Sequence, residues 1–301
     1  MQLGMIGLGR MGASMTERLV RGSHRVVGFD LTPEARAYVQ TRGAETAASL
    51  EALVIALPTP RTLWLMVPAG AITDGTIAAL VPLLAAGDTI IDGGNSNYKD
   101  TMRRAREVAA HGLGYIDCGT SGGVWGLAEG YSLMIGGDDA VVATHRPIFE
   151  TLAPAADRGW GRVGPSGAGH FTKMVHNGIE YGLMQAFAEG FSIMQHKRDL
   201  GLDLHQVAEI WRHGSVVRSW LLDLTSAALA ANPTMAGIAP FVSDSGEGRW
   251  TVAEAIELDV AAPVITLALL ERLRSRDDDS FTDKLLAAMR NQFGGHAIKK
   301  A

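Results

Sequence analysis

Met5-Ile6-Gly7-Leu8-Gly9-Arg10-Met11-Gly12 follows the apolar run Gln2 to Ile6 and leads into a stretch of helical period, so its three glycines stand at a strand-to-helix turn. Gly7 permits the tight turn, Gly9 lets the backbone come up against a pyrophosphate, and Gly12 lets the helix pack closely on the strand. Amides at the start of that helix face an anion with the positive end of the helix dipole. Alone, three spaced glycines read equally as ordinary turn residues. The second strand, Arg25 to Asp30, decides between the readings, because it ends in a carboxylate 23 residues after Gly7, close to the ~20 that a ribose contact needs. The chain is therefore expected to open with a Rossmann-like dinucleotide-binding domain. Asp30 can accept hydrogen bonds from both adenosine ribose hydroxyls and would repel a 2′-phosphate, so NAD is the expected cofactor, with NADP disfavoured. Arg36 lies a turn later, after Pro33 has begun the next helix.

From Met1 to about Pro165 short apolar runs alternate with amphipathic stretches, the pattern of a parallel sheet covered by helices on both faces. The expected strands are Gln2 to Ile6, Arg25 to Asp30, Leu53 to Leu57, Leu63 to Val67, Thr89 to Asp92, Tyr115 to Cys118 and Tyr131 to Gly136. The rhythm changes near Gly164-Pro165-Ser166-Gly167. Beyond it come helical patterns over Ala168 to Lys197, Asp203 to Gly214, Trp220 to Ala231, Thr251 to Asp259, Ala262 to Arg276 and Phe281 to Gln292. The fold class expected is an α/β Rossmann-like domain over residues 1–165 followed by an all-α domain over residues 166–301.

Composition agrees with this division. The chain has 301 residues, 47% apolar and 20% charged, which suits two globular domains of ~150 residues and excludes collagen, intrinsic disorder and a small disulfide scaffold. Acidic residues outnumber basic ones, 32 to 27, for a net charge of −5. No broad positive field is available for phosphate backbones or anionic lipid, so neither nucleic acid nor a membrane is expected as a partner. The single cysteine, Cys118, makes no internal disulfide and no multi-thiolate metal site, which fits a reducing compartment. The longest near-apolar stretch, Val260 to Leu270, is broken by Pro263 and Thr266 and falls far short of the ~20 residues of a membrane span. The chain starts directly on a strand, leaving no room for a signal peptide, so a cytoplasmic location is expected.

The richest segment chemically is Lys173-Met174-Val175-His176-Asn177-Gly178-Ile179-Glu180-Tyr181. On a helix Lys173, His176, Asn177, Glu180 and Tyr181 fall within an arc of roughly 140°. Their flanks are Met174, Val175, Ile179, Leu183 and Met184 rather than the Lys, Glu and Gln of a solvated stripe. The polar face is therefore expected to line a cavity, gathering a base, an acid and several orienting donors. The simpler reading is a solvent-facing stripe with an ion pair between Lys173 and Glu180. Two turns, Asp92-Gly93-Gly94-Asn95-Ser96 and Gly119-Thr120-Ser121-Gly122-Gly123, fall at carboxyl ends of strands, where open α/β sheets bind ligands. Either also reads as a helix cap or a tight turn. Cys118, just before the second turn, has no base placed beside it and reads as a packing residue.

Together, Gly7 to Gly12, Asp92 to Ser96, Ser121-Gly122-Gly123 and Lys173 to Tyr181 resemble the decarboxylating 6-phosphogluconate dehydrogenases of the β-hydroxyacid dehydrogenase superfamily. The likeness returns at Gly248-Arg249-Trp250-Thr251 and at Arg290-Asn291-Gln292-Phe293-Gly294-Gly295-His296. It implies that 6-phosphogluconate is oxidised and decarboxylated to ribulose 5-phosphate in the pentose phosphate pathway. Lys173 would remove the proton of the C3 hydroxyl while hydride passes to the nicotinamide, which requires a lysine whose pKa falls toward neutrality in a desolvated site. The β-carbonyl of the 3-keto acid would take the electrons as CO2 leaves, with protonated Lys173 donating to that oxygen. Glu180 would then protonate C1. Asn95, Ser121, Gly122, Gly123, His176 and Asn177 would hold the carboxylate and hydroxyls without a metal. Tyr181, Arg272, Arg290 and His296 would hold the phosphate. Gly7, Leu8, Gly9, Arg10, Met11, Gly12, Asp30, Leu31, Val67, Pro68, Ala69 and Asn95 would hold the cofactor. In the family the tail bearing Arg290 and His296 comes from a partner subunit, which implies a homodimer or a larger homo-oligomer.

The chain departs from the longer members of that family. It lacks their extra helical section before the tail, and its loop Asp244-Ser245-Gly246-Glu247-Gly248-Arg249-Trp250 is contracted and without the lysine they use on the phosphate. Arg249 stands nearby. Where NADP-using members carry an arginine after the second strand, this chain has Leu31. Two other functions compete: a non-decarboxylating β-hydroxyacid dehydrogenase acting on a small acid such as hydroxyisobutyrate, and a non-catalytic NAD-binding sensor.

Overall fold

The computed structural model describes residues 1–294 and 297–299. The chain divides into two compact units, Met1–Asn177 and Gly178–Ala301.

The first unit is built on an eight-stranded sheet: β1 (Gln2–Ile6), β2 (Arg25–Phe29), β3 (Glu45–Thr46), β4 (Thr62–Leu65), β5 (Thr89–Asp92), β6 (Gly114–Ser121), β7 (Ser132–Gly137) and β8 (Trp160–Gly164). The strands lie in the order β3-β2-β1-β4-β5-β6-β7-β8. Successive residues of one strand enter different cores: Leu3, Met5, Trp64, Ile91 and Ile116 pack in one cluster, and Ile6, Leu63, Leu65, Ile90 and Tyr115 in another. This two-residue alternation means both sheet faces are covered, which is why the strands read as continuous apolar runs. Truncating a side chain such as the fully buried Leu65 to alanine would cost ~2–5 kcal/mol.

The strand order reverses at β1, which has β2 on one side and β4 on the other. In open α/β sheets the crevice at such a reversal, outside the carboxyl ends of the strands, is where ligands bind.

Three features differ from the sequence expectation. Leu53 to Leu57 is not a strand; it lies in and just after the helix Leu50–Ile55, whose start is capped by Ser49 Oγ accepting from the Ala52 amide at 3.2 Å. A short apolar run fits strand and helix alike, and the serine cap decides it. The sheet is not wholly parallel, since β7 runs antiparallel to β6. Finally, β3 and β8 carry too little apolar periodicity to be read as strands, one with only two residues and the other Gly-rich and partly exposed.

In the second unit the described residues form helices and no strand: the continuation of Ala168–His196, then Leu204–Arg212, Trp220–Ala231, Glu247–Glu257, Pro263–Arg274 and Phe281–Gly294. Glycines within the first of these admit their neighbours. A Cβ on Gly178 would press into Thr251, and one on Gly182 into Val264. Each mid-helix glycine costs up to ~1 kcal/mol against alanine, which close packing offsets. Among the described residues no helix is long and apolar enough to cross a membrane.

Candidate active site

The first turn is shaped for an anion. Gly7 has φ +90° and donates its N–H to the Phe29 carbonyl at 2.9 Å. A Cβ there would run into the Met66 carbonyl, and one on Gly12 into the Gly7 carbonyl. Gly9 differs: nothing lies within 4 Å of where its Cβ would be, and it begins the helix Arg10–Arg21 with no side-chain cap. The first amides of that helix are thus left to a ligand rather than satisfied internally. Both oxygens of Asp30 are oriented by backbone, Oδ2 accepting from Leu8 N at 2.7 Å and Oδ1 from Thr32 N at 2.8 Å. Each keeps acceptor capacity for ribose hydroxyls. Leu31 is 88% exposed, Arg10 is exposed and Met11 half-buried. Arg36 turns back to donate to the Asp30 carbonyl at 2.5 Å. Val67, half-buried, and the exposed Pro68 and Ala69 follow β4 across the reversal from Gly7. These residues fit a dinucleotide.

The turn bearing Asn95 rests on a buried polar cluster. Asp92 Oδ1 accepts from Gly94 N at 3.1 Å, and its Oδ2 accepts from Ser96 Oγ at 2.8 Å and Tyr115 Oη at 3.2 Å. Arg104, 1% exposed, donates to Ser96 Oγ at 3.1 Å, to Asp74 at 2.8 Å and to the Gly70 carbonyl at 3.3 Å. Burial, and secondarily Asp92, pushes the Tyr115 phenol well above its usual range, so it stays a donor. Asn95 itself stands exposed above this base.

Around Lys173 the chain packs against β6. A Cβ on Gly119 would collide with the Lys173 Cβ and the Gly169 carbonyl. Only glycine allows the helix Ala168–His196 to lie so near the strand that ends in Ser121. The helix start is fixed by Asp117, whose two oxygens accept from Gly167 N at 2.7 Å and His170 N at 2.9 Å. Lys173 is 7% exposed, and its Nζ donates to Asn177 Oδ1 at 2.8 Å and lies 3.4 Å from His176 Nδ1. Asn177 is buried and His176 half-buried. Ser121 and Gly122 are partly covered and Gly123 exposed. Burial pushes the Cys118 thiol far up, leaving it an inert packing group.

In the second unit Glu180 is half-buried and Tyr181 buried. The Arg272 guanidinium lies 3.6 Å from the Tyr181 ring centroid and donates to the Ser243 carbonyl at 3.0 Å. Tyr181 Oη accepts from Ser245 N at 3.4 Å, and Gly248 sits so close to the ring that a Cβ would overlap it. Arg290 lies exposed on the helix Phe281–Gly294. His296 lies outside the described residues.

Comparisons with known proteins identify the family. Residues 2–161 match the NAD binding domain of 6-phosphogluconate dehydrogenase, and residues 169–301 match its C-terminal domain. The chain belongs to the 6-phosphogluconate dehydrogenase family. An NAD(+)-dependent, decarboxylating 6-phosphogluconate dehydrogenase of Haloferax volcanii is 44% identical over 301 residues, covering 100% of this chain and 99% of that one. A decarboxylating 6-phosphogluconate dehydrogenase of Bacillus licheniformis is 36% identical, covering 95% of this chain and 64% of its own length. The Plasmodium falciparum 6-phosphogluconate dehydrogenase, studied with its cofactor NADP+ and with 6-phosphogluconate, superposes with a TM-score of 0.85 at 28% identity, over 100% of this chain and 66% of that one. The chain thus spans nearly all of the Haloferax relative and about two thirds of the other two.

Sequence reasoning missed Arg104 and Asp117 and took Asp92 only as the first residue of its turn; Asp117 leaves a trace in the sequence as an acid inside an apolar strand.

Proposed function

We infer that the chain catalyses the oxidative decarboxylation of 6-phosphogluconate to ribulose 5-phosphate and CO2 with reduction of NAD. The observation that carries this reading is the placement of Lys173, buried against β6 at Gly119 and held through Asn177.

Gly7 to Gly12, Asp30, Leu31, Val67 to Ala69 and Asn95 would hold the dinucleotide, which when bound would supply the hydride acceptor for substrate C3. Lys173 takes the proton of the C3 hydroxyl. An uncharged amine keeps N–H groups to donate to Asn177 while its lone pair accepts that proton. The resulting β-keto acid loses CO2 as its carbonyl takes the electrons, and the ammonium of Lys173 stabilises that oxygen. Glu180, two turns further along the same helix, or ~10 Å at 1.5 Å per residue, delivers the proton to C1. Asn95, Ser121, Gly122, Gly123, His176 and Asn177 hold the sugar acid. Tyr181, Arg272, Arg249, Arg290 and His296 bind the phosphate, with Arg249 standing in for the lysine missing from the contracted loop.

The two carboxylate oxygens of Asp30, oriented by the Leu8 and Thr32 amides, and the uncharged Leu31 favour NAD. The Haloferax relative is NAD(+)-dependent and the Plasmodium one uses NADP+. The second unit leaves large apolar side chains exposed, among them Ile179, Leu183, Val264, Leu267 and Leu286, an amount of apolar surface that fits coverage by a second copy of the chain. We place the enzyme in the cytoplasm.

The test compares kcat/KM for 6-phosphogluconate, gluconate and 3-hydroxyisobutyrate, each with NAD and NADP. A preference of ~100-fold or more for 6-phosphogluconate is expected from a phosphate held by several charge-assisted hydrogen bonds. Faster turnover of 3-hydroxyisobutyrate would reject the reading.

A further inference from the structure

The segment Val242–Asp244 is gripped by three guanidinium groups. Arg272 donates to the Ser243 carbonyl at 3.0 Å and Arg276 to the Val242 carbonyl at 2.9 Å. Asp244 receives two of them at once, Arg249 Nε on Oδ2 at 2.6 Å and Arg276 Nη2 on Oδ1 at 2.9 Å. The Asp244 side chain is 8% exposed, while Arg276 is 24% and Arg249 48% exposed. Burial alone would raise the Asp244 carboxyl, but the hydrogen bonds and charges of Arg249 and Arg276 outweigh it and hold the group below its usual range.

A carboxylate beside Arg249 is a puzzle in a subsite for an anion. Paired one to one, Asp244 and Arg249 would cancel, and an incoming phosphate would meet no net charge from them. Arg276 removes the difficulty. Its guanidinium neutralises Asp244 from the other oxygen, so the carboxylate orients Arg249 without consuming its charge.

We propose that Arg276 is a positioning residue for the phosphate subsite, acting through Asp244 to leave Arg249 both fixed in direction and electrostatically available. This rests on the reading of Arg249 and Arg272 as phosphate ligands. The same arrangement explains how the contracted loop does without a lysine: a carboxylate clamped by two arginines holds the shorter chain in one shape.

The experiment measures KM and kcat for 6-phosphogluconate and for gluconate in the wild type, Arg276→Ala, Asp244→Asn and the double variant. In Arg276→Ala the lone Asp244 carboxylate opposes Arg249, and KM for 6-phosphogluconate rises about tenfold or more while kcat moves less than about twofold. KM for gluconate and for NAD stays level. Neutralising the carboxylate as well, in Asp244→Asn with Arg276→Ala, brings KM back to within about threefold of the wild type, a coupling that lost packing would not produce. The proposal is overturned if Arg276→Ala leaves the ratio of the two KM values unchanged, or if the double variant is as impaired as Arg276→Ala. Equal kcat/KM for 6-phosphogluconate and gluconate in the wild type would instead reject the phosphate reading beneath it.

Discussion

Lys173 and Arg249 are both steered by a polar neighbour, but the two neighbourhoods are assembled differently. Lys173, His176 and Asn177 lie within five positions of one another on a single helix, held against β6 where Gly119 leaves room. Arg249, Arg272 and Arg276 reach Val242–Asp244 from two separate helices and the turn that follows one of them. The first group depends on backbone approach and burial. The second depends on charge balance. Damage to the first should therefore remove chemistry, and damage to the second should change recognition.

The largest effect follows from the first group. Lys173→Met should lower kcat by about a thousandfold, within the range for loss of a general base, while the dissociation constant for NAD changes less than about twofold. Steady-state rates and a calorimetric NAD titration would show this, and a variant with NAD affinity lost in step with kcat would make Lys173 a structural residue instead.

A smaller effect is expected at Asp30. Asp30→Ala removes the proposed acceptor for the ribose hydroxyls and also the anchor of Leu8 N, so kcat/KM with NAD should fall by about 10- to 100-fold, the worth of one or two hydrogen bonds to a charged group. The figure with NADP should fall less. An equal fall with both cofactors would remove Asp30 as the discriminator.

Acid separates the two units more gently. His145, 4% exposed, has its Nδ1 2.7 Å from the Val141 carbonyl and its Nε2 3.0 Å from Thr62 Oγ1. Burial lowers its pKa, only partly opposed by the Val141 carbonyl, and burial with the nearby N-terminal charge lowers that of His24. A histidine with a depressed folded pKa stabilises the fold above its unfolded value of 6.5 and withdraws that contribution as pH falls through the folded value. Tm should thus decline as pH drops from 7.5 toward 5. His145→Gln should show a shallower decline. In the second unit Asp244, whose folded pKa is also depressed, gives way only at pH below the ordinary carboxylate value of 3.8. A Tm that rises between pH 7.5 and 5 would contradict the burial argument.

The smallest effect is at Cys118. Its buried thiol, pushed far above the usual range, should resist iodoacetamide in the folded enzyme and react on unfolding. Rapid native alkylation, read by mass spectrometry, would mean that β6 opens.

The same contrast governs what could be read in the sequence. The glycine turn, Asp30 and the polar stripe of the long helix are local patterns, visible because strand and helix periods fix which residues share a turn or a face. The helix Leu50–Ile55 cannot be told from a strand in the sequence because a short apolar run has no period of its own. Arg104 and Arg276 were invisible for another reason. An arginine in an amphipathic helix or charged turn looks solvated, and only folding brings Arg104 to Ser96 and Asp74, or Arg276 to Asp244. The apolar flanks of the long helix misled in part, since Ile179, Leu183 and Met184 are exposed while Lys173, Asn177 and Tyr181 are buried.

The central claim is that one helix supplies the base for oxidation and the acid that completes decarboxylation. Quantifying CO2 and NADH together during a single turnover of 6-phosphogluconate with NAD tests it most directly. The account predicts one CO2 for each NADH, with ribulose 5-phosphate as the sugar product; NADH formed without CO2 would contradict it.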